Sequence, residues 1–509
     1  MITMQKTFQL TETKKALVKN WIKTGKLELV GLTGSTSGTL MAPLILLEGF
    51  ESKVLEEDIV VIEDKNDNHI LAVCRQGTGI DENLKVGTYS PSLSYVRSTG
   101  KRPSTAKESY HFYLVIMGKI TDKGLNRNEE IISPGSPVYR FNKPETNPLS
   151  LMIEEDCSER GFYRSHEEWK VPFKKTFIPY HIGVFGQTGC GKSFLTKNLL
   201  VPLLRSSGYS ILILDWEGID YTEYFKKINA KIIPLYEVAL DTDAIAGYLC
   251  EKMGHFGYTG EKREMNEIRD AIDDFLMKED WKKISQEEFK IKLKAHAKTY
   301  LEHASSNRNV INAWIRKLEK GLEKLTSEHI KTIYGEKKPS EMVKEAKNYG
   351  MVVLDMSMVE AEEKLSVFLS IGNNILERIQ KGEFLKLALI IDEAPQYAPW
   401  EPKGLQKDAS ELIKNLCATG RKHELCMVLI SQGIAGDIGI NAAVRRNLNT
   451  QFIGQIHPLD LEEAMKWVSP YGIRNEHLLY LNPGEFYFIG KMNPSPIPLL
   501  ISFNIDEGI

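Results

Sequence analysis

Three scarcities bound what this chain of 509 residues can do. Charge of one sign is the first: 65 Lys and Arg face 68 Asp and Glu, a net charge of -3. The molecule is therefore not a globally basic nucleic-acid coat, and any nucleic-acid contact has to be local. Long apolar runs are the second. No uninterrupted stretch approaches the roughly 18 residues of a membrane span, and Met1 to Leu10 lacks the apolar core of a signal peptide. A cytoplasmic protein with no membrane segment is expected. Paired cysteine is the third. Cys74, Cys157, Cys190, Cys250, Cys417 and Cys426 include no C-x-x-C, which sets aside a zinc ribbon and a disulfide framework and leaves reduced core thiols. What remains is the composition of a soluble globular protein, long enough for roughly two to four domains and a large core.

Within it, Gly186 to Ser193 reads Gly-Gln-Thr-Gly-Cys-Gly-Lys-Ser and satisfies the phosphate-loop pattern G-x-x-x-x-G-K-[ST]. Ile182 to Phe185 before it suits a buried parallel strand, and Leu195, Leu199 and Leu203 after it share one helical face. Strand, loop and helix in that order turn backbone amides onto a phosphate chain at a helix N-terminus, where the dipole also favours negative charge. Gly186, Gln187, Thr188, Gly189, Cys190 and Gly191 would line that loop and Phe194 would follow it. Lys192 would reach the β and γ phosphates of ATP, and Ser193 would ligate Mg²⁺. Cys190 reads as a small residue that fits the loop rather than a reactive thiol.

Upstream, Leu10, Ala16, Leu17, Trp21 and Ile22 among lysines suit a short amphipathic helix between Met1 and about Lys26. Short strand-like runs then follow at Leu27 to Val30, Leu44 to Leu47, Asp58 to Glu63, Ile70 to Cys74 and Tyr110 to Gly118, separated by turn residues such as Gly31 and Asp64. That texture predicts a small antiparallel barrel, closed by Pro134-Gly135-Ser136-Pro137. Lys143 to Pro148 reads as a linker, leading through about Tyr180 into the phosphate loop.

Downstream, Ile211 to Leu214 is a second buried strand ending in Asp215-Trp216-Glu217-Gly218, polar groups at the strand edge where α/β sheets bind ligands. Tyr236 to Lys347 is strongly helical, with Ile311, Trp314, Ile315, Leu318, Leu322 and Leu325 on one apolar face. Its lysines (Lys282, Lys283, Lys290, Lys292, Lys294, Lys298) alternate with acids, as on a solvated helix face. The sheet resumes at Met351 to Asp355 and at Leu387 to Ile391. The latter ends in Asp392-Glu393, where the first carboxylate would hold Mg²⁺ through its water shell and the second would polarise the attacking water. A further strand, Met427 to Ile430, ends in Ser431-Gln432, whose amide can bond both that water and a γ-phosphate oxygen. Arg421, or Arg445 and Arg446, would supply the guanidinium that transition-state charge on a phosphoryl group calls for. Glu485 to Gly490 reads as a last strand.

In this order the parts resemble the HerA family of hexameric DNA-translocating ATPases, a branch close to FtsK. Pro134 to Tyr139 looks like the exit of that family's N-terminal HAS barrel, Asp215-Trp216-Glu217-Gly218 is similar to its Asp-Pro-His-Gly-Glu-Tyr segment, and Asp392-Glu393-Ala394 to its Walker B. Gly420-Arg421-Lys422, Ser431-Gln432 and Pro483-Gly484-Glu485 match its arginine, sensor and C-terminal motifs. Trp216 and Ile219, and Pro395-Gln396 after the acids, depart from the family pattern.

The resemblance implies an α/β RecA-like P-loop ATPase core with a helical insertion, preceded by a small antiparallel β-barrel. Residues 1–145 would form the barrel, 146–235 and 348–509 the ATPase core, and 236–347 the insertion. It implies Glu393, Lys192, Gln432 and Arg421 as catalytic residues, Asp215 and Glu217 as nucleotide contacts, Ser193 and Asp392 as metal ligands, and ATP and Mg²⁺ as cofactors. Its partners would be five further copies in a homo-hexamer ring, double-stranded DNA and a NurA-like nuclease or other effector on the barrel. Two other functions stay open: an ATP-gated scaffold that recruits an anti-phage effector, and a coupling ATPase of secretion or conjugation, which the lack of a membrane segment disfavours. Lys403 and Lys407 are candidates for the DNA-facing surface.

Overall fold

Alternating apolar and turn residues between Leu27 and Phe141 give antiparallel strands, and continuous apolar runs between Ile182 and Ile453 give parallel ones. The computed structural model describes residues 13–505 apart from 86, 88, 104–107, 165, 229, 241, 255–262, 335, 336 and 358. Met1 to Leu10, where the signal-peptide argument rests, lies outside the described residues. The amphipathic helix occupies Lys14–Lys23, capped by the Thr13 hydroxyl, with Val18 and Trp21 buried.

The chain divides into two compact units. The first comprises the residues up to Lys174 with Ala464–Leu481 and Glu485–Ser502, and the second comprises Lys175–Glu463, Asn482–Gly484 and the residues from Phe503 on.

In the first unit, strands β1 (Leu27–Thr33), β2 (Met41–Leu46), β3 (Ile59–Asp64), β4 (Asn68–Asp81), β5 (Glu108–Ile120), β6 (Leu125–Asn126) and β7 (Pro137–Phe141) form one sheet in the order β2-β1-β7-β3-β4-β5-β6. β2 also pairs with β5, Met41 opposite Val115 and Ile45 opposite His111, so the ladder returns on itself. Val30, Leu44, Val60, Ile62, Ala72, Leu114, Ile116 and Val138 fill its interior. Each such aliphatic side chain larger than Ala contributes on the order of 1.5–3 kcal/mol by leaving water. Past Lys143 to Pro148, the stretch that leads to the phosphate loop holds an antiparallel hairpin, β8 (Cys157–Tyr163) and β9 (His166–Lys174). Only Phe162 and Tyr163 of β8 are buried, so the strand lacks the alternation that marks a half-buried one.

The second unit holds β10 (Ile182–Phe185), β11 (Ser210–Asp215), β12 (Lys231–Pro234), β13 (Met351–Asp355), β14 (Leu387–Ile391), β15 (Leu425–Ser431) and β16 (Thr450–Ile453), in the order β12-β13-β11-β14-β15-β10-β16 and all parallel. All their C-terminal ends therefore lie along one edge. Between β12 and β13 run the helices Thr242–Gly254, Arg263–Lys278, Gln286–His303, Arg308–Lys324, Ser327–Thr332 and Pro339–Tyr349. Ile311, Trp314, Leu318, Leu322 and Leu325 are buried there, and Lys282, Lys283, Lys292, Lys294 and Lys298 are exposed. Among the described residues no helix is long and apolar enough to cross a membrane.

The last strands, β17 (Phe486–Gly490) and β18 (Leu499–Ser502), belong to the first unit, where β18 pairs with β8. A buried ion pair fixes this arrangement. Arg75 gives Glu57 two bonds, Nε to Oε1 at 2.8 Å and Nη2 to Oε2 at 3.0 Å, and donates to the carbonyls of Tyr471 and Pro498. Tyr487 adds a hydroxyl bond to the Glu57 carboxylate, and Tyr163 donates to the Glu57 main-chain carbonyl. Every charged group is satisfied, the condition under which a buried pair is tolerated, and removing one partner of such a pair costs about 3–5 kcal/mol.

Beside it, His477 Nε2 lies 2.6 Å from Glu56 Oε2. That bond holds the imidazole above its ordinary value and the carboxyl below its own. The histidine's contribution is complete below about pH 6.5 and is lost as pH rises through its raised value. The glutamate's is complete above about pH 4.3 and is lost as pH falls through its depressed value. The melting temperature of wild type minus that of His477→Gln is thus expected to peak between about pH 5 and 6 and to shrink toward pH 9. A difference that does not vary with pH would remove the charge from the account.

A candidate nucleotide-binding site

The phosphate loop leaves β10 at Gly186 and enters a helix at Lys192. Gly189 and Gly191 take φ of 84° and 101°, left-handed values that an L side chain resists, and Gly191 is the residue on which the helix begins. Thr196–Leu200 then forms a π turn before the helix resumes at Val201. Pro202 follows at once. It has no N–H to give and its ring crowds the carbonyl four residues back, which the wider turn accommodates. Leu195, Leu199 and Leu203 are all buried, so the helix is anchored by the face its spacing predicts. Cys190 is buried and burial pushes its thiol up, which suits packing rather than reactivity. Lys192 Nζ donates to the carbonyls of Gly186 and Gln187, at 2.8 and 3.1 Å, so its ammonium already lies across the loop.

Carboxylates converge on the loop from neighbouring strand ends. Asp392 directly follows β14 and is buried; burial first, then the charges of Glu393, Asp215 and Asp220, hold its carboxyl well above the usual range. Asp215 ends β11 fully buried. Its Oδ2 accepts from the amides of Tyr221 and Thr222, its Oδ1 has no partner, and burial raises it too. No motif points to Asp220, yet its Oδ2 accepts from Ser193 Oγ at 2.9 Å. The signal was present in the Asp220-Tyr221 pair that closes the segment, one residue later than the family spacing. Lys197 is a second unforeseen member: its buried ammonium bonds the Asp220 carbonyl at 3.2 Å and lies 4.6 Å from the Phe194 ring centroid and 5.0 Å from that of Tyr224. Burial lowers its pKa, against the pull of Asp220, Asp215 and Asp392.

Glu217 is exposed on the same turn and faces Lys364, whose ammonium bonds the Trp216 carbonyl at 2.7 Å. Among the described residues no set of three or more His, Cys, Asp or Glu side chains makes a metal cage. The oxygen donors of Ser193, Asp392 and Asp220 nevertheless fit Mg²⁺, a hard cation that keeps several waters and is shared with substrate phosphates. The raised Asp392 and the unpartnered Asp215 oxygen mark this acidic edge as short of positive charge.

Glu393 takes φ 48°, a left-handed conformation for a residue with a side chain. Such strain costs of order 1–3 kcal/mol and concentrates at functional sites. Its Oε1 accepts from Gln432 Nε2 at 2.6 Å, and Gln432 Oε1 accepts from Thr188 Oγ1 at 2.8 Å. The amide orientation follows from chemistry, since a carboxylate can only accept. β15 lies between β10 and β14, so Gln432 emerges between the loop and the acids.

The arginines stand apart. Arg421 precedes β15 and packs over Tyr180, 4.6 Å from the ring centroid, while the loop is at the far end of strands about 20 Å long. It does not reach the loop of its own chain. Arg445 is buried over Trp400, 3.7 Å from Glu463, and Arg446 is exposed. Lys403 and Lys407 are exposed as well.

Residues 159–375 match a family model described as the central domain of helicase HerA. A comparison with curated proteins finds no match. Among solved structures, the plasmid coupling protein TrwB with a non-hydrolysable GTP analogue aligns at TM-score 0.51 and 15% identity over 71% of this chain and 93% of that one. TrwB with the ATP analogue ADPNP aligns at 0.50, again 15% identical over the same shares. VirB4 of Thermoanaerobacter pseudethanolicus aligns at 0.48 and 15% identity, over 69% of this chain and 97% of that one. The TrwB likeness shows a P-loop ATPase fold, and Asp392, Glu393 and Gln432 lie beyond the matched segment. The resemblance to the HerA family that the motifs carry is thereby shown, over the segment that holds the phosphate loop.

Proposed function

We propose that the protein is an ATP-hydrolysing ring motor that moves double-stranded DNA. The observation that carries this reading is the Glu393–Gln432 pair, hydrogen-bonded one strand away from a complete phosphate loop. Binding alone needs no such pair. In this reading Lys192 grips the β and γ phosphates, Glu393 takes the proton of the attacking water, and Gln432 orients that water. Ser193 and Asp392 would hold Mg²⁺, with Asp220, already bonded to Ser193, as a further oxygen donor; when bound, the ion would neutralise charge on the phosphates.

DNA as the cargo is supported by the match to the central domain of helicase HerA. The hexameric ring, the trans-acting Arg421 and the nuclease or other effector partner come from the family resemblance. The ladder that returns from β5 to β2 supports the barrel on which that partner would dock. The test is ATPase turnover with and without linear duplex DNA. A motor is expected to be stimulated several-fold by duplex; a rate indifferent to DNA would favour the recruiting scaffold.

A further inference from the structure

β10 and β14 are second neighbours in the sheet, about 10 Å apart at the usual strand spacing, so a side chain as short as threonine on the phosphate loop cannot touch Glu393 directly. Gln432, on the strand between them, closes the gap. Thr188 Oγ1 donates to Gln432 Oε1 at 2.8 Å, and Gln432 Nε2 donates to Glu393 Oε1 at 2.6 Å. Three strand ends are thus linked in spatial order by side chains 244 and 39 residues apart in sequence.

Chemistry fixes the direction of the relay. Glu393 can only accept, so the amide nitrogen must face it, the amide oxygen must face Thr188, and the threonine proton is committed to that oxygen. The carboxylate selects which end of the amide it meets, and the hydroxyl holds the amide in place. Phosphate recognition by the loop depends on backbone amides and Lys192, so the Thr188 hydroxyl is free to serve this second purpose.

We propose that Thr188 is a positioning residue, whose hydroxyl seats the Gln432 amide against Glu393 and so ties the phosphate loop to the base. The proposal rests on the reading of Glu393 as the base. Whatever shifts the loop around a γ phosphate then shifts Gln432 and Glu393 with it.

The test uses the full-length protein with Mg²⁺ and ATP. Thr188→Val keeps the shape and loses one hydroxyl bond, and is expected to lower kcat about fivefold to tenfold. KM for ATP and the dissociation constant of a fluorescent ADP should stay within about twofold of wild type. Thr188→Ser should restore kcat. In a Gln432→Ala background, adding Thr188→Val should change kcat by less than about twofold, because the relay is already cut. A parallel loss of kcat and ADP binding would mean loop damage and overturn the proposal. Failure of serine to rescue, or multiplied effects of the two substitutions, would overturn it as well. If wild type binds fluorescent ADP but hydrolyses no ATP, the assignment of the base falls and takes the relay with it, a result distinct from any of these.

Discussion

Lys192→Ala is expected to lose nucleotide affinity and turnover together, while Glu393→Gln is expected to bind ATP and hold it. The two side chains do different work in adjacent places. Lys192 is positioned by the Gly186 and Gln187 carbonyls to meet phosphate oxygens, and a charge-assisted bond of this kind contributes about 1.5–3 kcal/mol, hence about tenfold to a hundredfold in affinity per bond lost. Glu393 sits across the strand edge and is bonded to Gln432. A glutamine at 393 still has an amide oxygen that can accept from Gln432 Nε2, so the local geometry survives while the proton acceptor is lost. General-base loss of this kind lowers rates about 10²- to 10⁴-fold. Fluorescent-nucleotide titration and single-turnover hydrolysis separate the two outcomes. If Glu393→Gln hydrolyses ATP at the wild-type rate, Glu393 is not the base.

The second large effect concerns Arg421. An arginine supplied in trans contributes about 10³ to 10⁵ in rate to phosphoryl transfer, and Arg421 lies at the edge of the sheet opposite to its own loop, packed over Tyr180. If it acts on nucleotide at all, it acts on a neighbour's. Arg421→Ala is therefore expected to abolish turnover and to leave ADP affinity nearly intact. Mixing Arg421→Ala subunits, which keep Lys192, with Lys192→Ala subunits, which keep Arg421, should restore part of the activity that neither has alone. Mixed rings confirmed by mass with no recovery would rule out the trans role. Arg445, buried against Trp400 and Glu463, is then left as packing, and the exposed Arg446 is the next to replace.

The parts of the second unit that the sequence discloses are those whose physics is local. β10, β11, β13, β14 and β15 are buried along nearly their whole length and read as unbroken apolar runs. β12 and β16 escape notice because each is four residues long and carries a polar residue, Lys231 in one and Thr450 and Gln451 in the other. The β8–β9 hairpin is hidden by the polar surface of its first strand. Gly186 to Ser193 is legible because the loop needs particular residues at particular spacings. Asp220 and the Thr188 hydroxyl are not, since their roles depend on which strand ends become neighbours, and no window around either residue contains that information.

The first unit is discontinuous in sequence, with Glu57 and Arg75 near its beginning and Tyr471, Tyr487 and Pro498 far along the chain. On the ribosome these pieces emerge several hundred residues apart, an interval of roughly 20 to 80 s at ordinary synthesis rates. Through that interval the Arg75–Glu57 pair lacks the carbonyls and the Tyr487 hydroxyl that complete it, and β8 has no β18 beside it. The parallel sheet of the second unit is complete in the nascent chain once β16 has emerged. The sheet of β1 to β7 and the parallel sheet are thus both in hand before β18 can reach β8, so the last part of the first unit to close is the joint that Arg75 makes with the carbonyls of Tyr471 and Pro498, and a chaperone that shelters Arg75 and β8 through the wait would act on that joint.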